Sequence, residues 1–487
     1  MNVIVQNLLP FVGMIVVLIV VHELGHFITA KIAGIKVLEF GLGYPPKLWG
    51  IKRGETEYTI NAVPLGGFVR LLGEEDPDDP RSLAAQPRWV RLVVLASGAG
   101  MNVVLAIFLF SLALMIPREV DVSRARISEV VPESPAAEAR LAPGDVIFAV
   151  NGRDVESVSE LGYSIRLHLG QTIDLRIKPA TVSGREIEDP DGDGFVEVPV
   201  RARWSAGAYT FTSAIAQGAS ISASDVPPFD LPVTATRGFD DVGGLAINSD
   251  AANEEHFEYC LKNSSTLTIT ERALGGTTAA AHNAGSPIEH KVAQGPTGIR
   301  IGPAYTQTRS LTDKELADIA DDLSECDKDN PPRTVAVPFS ESQSDPPWVA
   351  LPEGARKSFE SLILGRNELI SRIRGGVGGS GGFQVTGPVG IAQLTGEVVD
   401  EAGWKSLVDF AALISMNLAI LNILPLPMLD GGRIVFVLIE IARRGRRIAP
   451  QREAIVHLVG LVALLTFAVV ITFFDVARIW RGEGIIK

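Results

Sequence analysis

The sequence contains few cysteines, few histidines and no basic, aromatic-rich patch in its long polar middle. Its only cysteines, Cys260 and Cys326, allow at most one intrachain disulfide, and the sequence does not decide whether that disulfide forms. Residues 118–405 carry more acids than bases, so we expect no nucleic-acid partner. Only seven histidines occur, and four of them are scattered through this middle segment without metal-ligand spacing: His168, His256, His282 and His290.

Charge is also sparse, because 21% of the 487 residues are charged and 46% are hydrophobic. Apolar runs occupy 8–30, 92–116, 410–429 and 454–474, each close to the ~20 residues that cross a hydrocarbon core. These runs predict four transmembrane helices, grouped in two pairs. The first run lacks a basic leader and a small-residue cleavage site, so we expect a retained span rather than a signal peptide.

A His-Glu-Leu-Gly-His motif stands at residues 22–26, inside the first apolar run. Ionisable groups are costly at membrane depth, so their presence there indicates function. His22 and His26 are one helical turn apart and can bind one zinc ion together. Glu23 lies about 100° around the helix from His22 and can act as general base toward an attacking water. The motif predicts a metalloprotease-type zinc site.

A catalytic zinc site needs a third protein ligand, and Asp430 at the end of the third run is the candidate. Alone, an Asp before Gly-Gly favours a turn residue. Beside an intramembrane histidine pair, the ligand hypothesis is favoured. Pro425 and Pro427 predict irregular backbone there, shielded from lipid. Asn417 and Asn422 are candidates for positioning a substrate strand.

Arginines set the predicted orientation. Short loops rich in arginine belong on the cytoplasmic side, and two such loops flank the second and fourth runs, with Arg81, Arg88, Arg91, Arg443, Arg444, Arg446, Arg447 and Arg452. The active site is therefore predicted to face the cytoplasm. His457, at the start of the fourth run, is interpreted as a polar tip at the membrane interface rather than a ligand.

These motifs resemble the site-2 protease family, intramembrane zinc metalloproteases of the bacterial sigma-regulator type. The resemblance rests on residues 22–26, on Asp-Gly-Gly at 430–432 after Asn422 and Pro425, on residues 40–70, and on Gly-Pro-Val-Gly-Ile at 387–391. It implies that His22, His26 and Asp430 bind Zn²⁺ and that Glu23 is catalytic. Ser-Gly-Ala-Gly-Met-Asn at 97–102 departs from the family by lacking a proline, and Asn102 is predicted to be a packing or gate residue.

Residues 40–49 and 57–70 predict short strands joined by Gly and Pro turns. They resemble the family's membrane-associated β-hairpin, which implies that an extended substrate adds a strand near Gly66 and Gly67. An ordinary cytoplasmic hairpin is the alternative.

Residues 125–179 alternate strand-like runs with Pro-Gly-Asp and Asn-Gly turns, with a helix near 158–168, and resemble a PDZ domain. Its last strand is predicted near 298–301, after a long insertion at about 180–292 whose Thr-rich alternation at 265–270 indicates strands.

Within this insertion, Asp189–Asp193 resembles a calcium loop, but Val200 stands where a glutamate should close the loop, which favours an acidic turn. We further expect an acidic helix at 311–329 and a flexible linker at 375–382.

The predicted architecture is a polytopic α-helical membrane protein with four transmembrane helices, a membrane-associated β-hairpin and an extracytoplasmic β-rich PDZ-like domain with a long insertion. The predicted domains are 1–117 (first membrane half), 118–305 (PDZ-like), 306–386 (connecting region) and 387–487 (second membrane half). The predicted function is an intramembrane zinc metalloendopeptidase in a bacterial inner membrane.

Predicted partners are the lipid bilayer, single-span substrates such as anti-sigma factors or remnant signal peptides, and a peptide or chain terminus bound by the PDZ-like domain. The alternative is a membrane-anchored PDZ scaffold with a non-catalytic metal site, against which an intact Glu23 argues.

Overall fold

The computed structural model describes residues 9–74, 78–180, 193–205, 208–236, 239, 242–248, 253–274, 277–293, 295–311, 334–374 and 387–480. Cys326, most of the 189–193 turn, the expected acidic helix and the expected linker lie outside these residues. The chain divides into two compact units. The first is Met1–Arg118, Gln343–Ile363 and Gln384–Lys487; the second is Glu119–Ser342 and Leu364–Phe383.

The helices of the described residues are α1 Leu9–Ile32, α2 Arg88–Met115, α3 Pro135–Glu138, α4 Val158–Leu167, α5 Pro347–Ile373, α6 Pro388–Ile423, α7 Asp430–Ala442 and α8 Pro450–Trp480. The strands are β1 Val37–Arg53, β2 Thr56–Leu71, β3 Arg118–Asp121, β4 Ala125–Val130, β5 Val146–Val150, β6 Arg153–Asp154, β7 Thr172–Lys178, β8 Val196–Arg201, β9 Ala208–Ala214, β10 Phe229–Pro232, β11 Val242–Ile247, β12 Glu255–Asn263, β13 Thr266–Arg272, β14 Pro287–Ala293, β15 Ile299–Pro303, β16 Thr306–Ser310, β17 Thr334–Pro338 and β18 Ser340–Gln343.

Four helical segments of the described chain are long and apolar enough to cross a membrane: Leu9–Ile32, Arg88–Met115, Gly403–Ile423 and Gln451–Ala477. Their number agrees with the four apolar runs, and the molecule has the make-up of a multi-pass membrane protein with a β-rich part. The irregular backbone predicted at Pro425 and Pro427 is confirmed: α6 ends at Ile423, because these prolines cannot continue a helix, and α7 begins separately at Asp430, so the apolar run at 410–429 extends past its helix.

The Gly-Pro-Val-Gly stretch at 387–390 forms the start of α6, and two of its buried backbone N–H groups, which have no helical partner in the first turn, are satisfied from another span. Asp475 of α8 is buried and accepts hydrogen bonds from the backbone N–H groups of Gly387 (3.0 Å) and Gly390 (2.8 Å). A carboxylate at a helix N-terminus also interacts favourably with the helix dipole. The last span therefore anchors the start of α6, ahead of the third span at Gly403–Ile423.

The hairpin of β1 and β2 folds back on itself, so that residues 39–42 of β1 pair with two parts of β2. Phe40 lies opposite both Tyr58 and Val69, and Gly41 lies opposite both Thr59 and Phe68. Residues 67–71 consequently form an outer strand of this small sheet among the described residues. This outer strand lies against α1, where Gly67 approaches Ile19 and Glu23.

In the second unit, one sheet has the strand order β15-β4-β5-β7-β8, with β6 paired to β5. Strand β7 buries Ile173, Leu175 and Ile177 and exposes the residues between them, as expected for a strand with one face in the core. Leu161 and Ile165 of α4 pack into the same core. The strand predicted near 298–301 is present as β15, at the edge beside β4.

Between β8 and β15 the chain builds a separate six-stranded sheet in the order β10-β13-β12-β11-β14-β9. The Thr-rich segment predicted to form a strand is β13. The core of this sheet includes Phe257, Tyr259 and Ile269, and Cys260 in β12 is buried and disulfide-bonded. The inserted residues thus have a hydrophobic core of their own.

A buried ionic cluster joins the strands of this second sheet. The Glu255 carboxylate is fully buried and accepts two hydrogen bonds from the Arg272 guanidinium, at 2.7 and 2.9 Å. The Ala280 N–H also donates to it at 2.9 Å, and the ring of His282 lies 3.1 Å away. Burial raises the pKa of Glu255, but these hydrogen bonds outweigh burial and hold its pKa below the ordinary value of 4.5.

We predict that Glu255→Gln destabilises the inserted sheet by about 3–5 kcal/mol, because it leaves the buried Arg272 charge without its partner. The measurement is hydrogen exchange of the β12 and β13 amides in the full-length protein at neutral pH. Glu258→Gln is the matched control, since Glu258 lies on the same strand and is exposed. Equal exchange in the two variants would contradict the prediction.

The stabilisation that the Glu255 carboxylate gives to the inserted sheet should depend on pH. Because the pKa of Glu255 is lowered on folding, its stabilising effect is complete above 4.5 and is lost as the pH falls through the folded-state value. Denaturant unfolding of wild type and Glu255→Gln should therefore converge below pH 4.5 and diverge above it.

Candidate metal centre

Three side chains from two distant parts of the chain converge in the first unit. The Nε2 atoms of His22 and His26 each lie 3.2 Å from Oδ2 of Asp430 and 3.3 Å from one another. Both histidines are buried on α1, and Asp430 is the first residue of α7. This is the one group among the described residues whose histidine and carboxylate atoms are placed to hold a metal ion together.

The spacing of these donor atoms can be compared with zinc coordination. Nitrogen and oxygen ligands bind zinc at about 2.0–2.2 Å, so neighbouring donors in a tetrahedral site are about 3.3–3.6 Å apart. The observed separations of 3.2 and 3.3 Å are close to this value. Two neutral imidazoles and one carboxylate also form a common donor set for catalytic zinc. The residues present therefore fit the ion.

His26 is oriented by the second helix. Its Nδ1 lies 2.8 Å from the carbonyl oxygen of Val94, so Nδ1 carries the proton and donates it, which leaves the Nε2 lone pair facing Asp430 and His22. The two helices approach closely here. A Cβ atom on Gly25 would meet the Ser97 carbonyl oxygen, and a Cβ atom on Gly98 would meet Nε2 of His26. Glycine is required at both positions by space.

His22 is flanked by two amides. Its Nδ1 lies 3.3 Å from the Asn102 amide and 3.5 Å from that of Asn422. When Nε2 serves as a metal ligand, Nδ1 bears the proton and must donate, so an amide has to present its oxygen. Asn102 is fully buried, and its Oδ1 has no hydrogen-bond partner as placed. Turning this amide over would let its oxygen accept the hydrogen bond that the Nδ1 proton of His22 must donate.

The turn before α7 explains the Asp-Gly-Gly sequence. Gly431 faces the carbonyl oxygens of Ile423 and Leu424, and Gly432 faces that of Leu426, so a side chain at either position would collide with the backbone. The segment 424–429 can therefore fold tightly over the start of α7. Packing this close fixes where Asp430 points.

The far end of α7 is held by charge. Glu440 is buried and accepts hydrogen bonds from Arg91 (2.7 Å) and Arg88 (3.2 Å), both on α2. Burial raises the pKa of Glu440, but the two guanidinium groups outweigh it and keep the pKa below its ordinary range. Helix α7 is thus fixed to α2 at one end and presents Asp430 at the other.

A cavity of about 360 Å³ opens beside the three donor atoms and is lined by Glu23, Tyr44, Phe68, Met428 and Arg433, among others. Glu23 follows His22 on α1, and the backbone of Val69 in the outer strand hydrogen-bonds to its carboxylate. Burial, with a smaller effect of the Glu23 charge, raises the pKa of Tyr44. Arg433 forms an ion pair with Glu74 at 2.6 Å.

The structure brings together most of the predicted site residues. His22, Glu23, His26 and Asp430 share one cavity, and Gly67 abuts Glu23. Gly66 has φ 116° with the Tyr44 ring where a side chain would be. Asn417 lies apart: its side chain is exposed, because five helical residues rotate it about 140° from Asn422.

The sequence did not predict the contacts of three residues near the site. Gly98 has no feature in the sequence that marks it beyond its small size. Asn102, predicted to be a packing or gate residue, is buried and contacts His22. His457, predicted to be a polar tip at the membrane interface rather than a ligand, is not among the three donors, and its ring accepts a backbone hydrogen bond from Met428.

A buried His-His-Asp donor set with an adjacent glutamate, in a protein with four membrane-length helices, defines a membrane metalloprotease. The chain belongs to peptidase family M50, the site-2 protease family, whose sequence profile matches residues 10–467. It is accordingly a zinc-dependent metalloprotease, with Zn²⁺ as its cofactor.

Curated relatives carry the name "putative zinc metalloprotease". One from Clostridium perfringens is 28% identical over 94% of this chain and 95% of its own length. A second, from Thermotoga maritima, is 26% identical over 96% and 98% of the two chains, and a third, from Ralstonia nicotianae, is 27% identical over 98% and 100%. The likeness therefore extends over both membrane halves and the segment between them.

We predict that Gly98→Ala weakens zinc binding about 5- to 150-fold, because overpacking costs about 1–3 kcal/mol and the added methyl group pushes the imidazoles apart. Zinc affinity can be measured by chelator competition with the purified full-length protein. Gly100→Ala is the matched control on the same helix, since no atom lies within 4 Å of its added Cβ. Equal affinities for both variants would contradict the close approach of α2.

Proposed function

We propose that this enzyme hydrolyses peptide bonds within the transmembrane segments of single-span proteins, with His22, His26 and Asp430 as zinc ligands and Glu23 as general base. The observation that carries the proposal is the meeting of these three donor atoms at 3.2–3.3 Å in a cavity that Glu23 also lines. When bound there, zinc would polarise the scissile carbonyl and make water a stronger nucleophile.

Glu23 handles the protons in this proposal. Its carboxylate accepts a proton from the attacking water and passes it to the leaving amide nitrogen. The Val69 backbone hydrogen bond holds the carboxylate on the cavity side of α1. The Val94 carbonyl keeps the proton of His26 on Nδ1, and the Asn102 amide does the same for His22 when its oxygen faces that ring, so the Nε2 atoms remain free to bind metal.

A transmembrane substrate must unwind before cleavage, because helical hydrogen bonds bury its scissile amide. The outer strand at residues 67–71 supports a way to do this. It lies beside Glu23, and its outward backbone groups can replace hydrogen bonds that the substrate loses on unwinding. The Tyr44 ring covers Gly66, and Gly67 lies against Ile19 and Glu23, so the two glycines let the outer strand pack close beside the cavity.

The proposed orientation places the metal centre toward the cytoplasm of a bacterial inner membrane. Exposed arginines between α7 and α8, including Arg443, Arg444 and Arg446, support it, as short basic loops remain on that side. The β-rich second unit would then be extracytoplasmic. Its β15 lies at the edge of a PDZ-like sheet, where a peptide or chain terminus of a trimmed substrate can add. Anti-sigma factors and remnant signal peptides are the substrate classes we favour.

We predict that Glu23→Gln retains zinc but lowers cleavage of a model single-span substrate by at least about 10²-fold, the usual contribution of a general base. Turnover and zinc content are measured on the same purified protein in lipid nanodiscs. Glu341→Gln, at an exposed position of β18, serves as the matched control and should cleave normally. Undiminished turnover by Glu23→Gln would refute the assignment.

Asp430→Ala tests the ligand set separately. Removing one of three protein ligands should abolish both zinc retention and cleavage. A protein that keeps full zinc affinity without Asp430 would overturn the proposed site.

A further inference from the structure

We propose that His457 is a positioning residue for the metal centre: by accepting a hydrogen bond from the Met428 backbone, it holds the turn that presents Asp430. The proposal rests on the assignment of Asp430 as a zinc ligand. His457 lies on α8, 27 residues beyond Asp430 in the chain. It is not one of the three donor residues, and its influence on them would pass through the backbone of residues 428–430.

The contact itself is direct. The Met428 backbone N–H donates to Nδ1 of His457 over 3.0 Å. Met428 follows Pro425 and Pro427 in a turn between α6 and α7, where no helical carbonyl is available to receive its N–H. A backbone N–H needs a hydrogen-bond partner, and the imidazole nitrogen supplies one from a neighbouring helix.

Met428 also has an unusual backbone conformation. Its φ is 75°, in the left-handed region that side chains of L-residues disfavour. Such a conformation persists only where surrounding contacts impose it. Met428 stands two residues before Asp430, so a change of its φ would redirect the carboxylate that must meet both imidazoles at 3.2 Å.

The ring of His457 is well placed to impose this conformation. Its side chain is 12% exposed, with the Phe436 ring 5.4 Å away between ring centroids. Because the Met428 N–H can only donate, Nδ1 is the acceptor and the neutral ring carries its proton on Nε2, which lies 3.9 Å from Glu453, one turn earlier on α8. Gly460, one turn later, gives Pro427 room to pack against α8. Helix α8 thus contacts two successive residues of the turn.

The test compares His457→Leu, which removes the acceptor, with His457→Asn, whose side-chain oxygen can occupy the place of Nδ1. Each full-length variant is purified in nanodiscs and titrated with zinc against a chelator. Its cobalt(II) form is examined by visible absorption, which reports ligand geometry. We expect His457→Leu to lose about 10–100-fold in zinc affinity and to alter the cobalt spectrum, and His457→Asn to retain most of the affinity and the wild-type spectrum.

A second variant examines the conformation directly. Glycine adopts φ near 75° without strain, so adding Met428→Gly to His457→Leu should recover zinc affinity if the histidine acts by holding this residue. His168→Leu is the matched control, because His168 bonds the Ser164 carbonyl in the second unit and its loss should leave zinc binding unchanged.

Wild-type affinity in His457→Leu would overturn the proposal. Equal losses in His457→Leu and His457→Asn, without recovery by Met428→Gly, would also overturn it, because they would show a packing role instead. Asp430→Ala separates the two levels of inference. If the Asp430→Ala variant keeps zinc, the ligand assignment fails, and the proposal for His457 fails with it. If Asp430→Ala loses zinc but His457→Leu does not, only the positioning role of His457 fails.

Discussion

The structure depends on placing one carboxylate from α7 against two imidazoles on α1, within helices that otherwise suit hydrocarbon. Polar groups are tolerated at such depth when they satisfy one another, and a metal ion binds only if its donors meet at the right spacing. The 3.2 Å contacts of Asp430 with His22 and His26 join residues about 400 positions apart. Several features of the first unit bring Asp430 into contact with the two histidines.

Close backbone approach is the first of these features. Gly25 and Gly98 let α1 and α2 come together until the carbonyl of Val94 reaches His26, while Gly431 and Gly432 let the 424–429 turn fold over the start of α7. In lipid, helices gain little from burying apolar surface against each other, so small residues and internal hydrogen bonds determine where they pack. Because glycine has no Cβ atom, it lets the backbones approach closely enough for His26 and Asp430 to meet.

The sequence could predict the chemistry because the two histidines and Glu23 occupy one helical turn, where spacing alone determines their common face. It could also predict the number of apolar helices, since hydrocarbon thickness sets their length. The prolines at 425 and 427 predicted the irregular turn after α6, but the separate helix α7 was not predicted, because the residues after Pro425 stay apolar and hydropathy does not mark where a new helix begins. Asn417 and Asn422 looked equivalent in sequence, yet helix rotation turns only Asn422 toward His22.

Contacts between spans explain the rest of what sequence could not show. The sequence around His457 is the same whether this histidine faces lipid headgroups or supports a turn. Only the packing of α8 distinguishes these two positions. The same helix uses Asp475 to bond the start of α6 and His457 to bond the turn after it. Since α6 leads into the turn that carries Asp430, the last span contacts both ends of the segment that delivers the third donor. A span with no donor atom of its own can therefore govern how the metal centre is assembled.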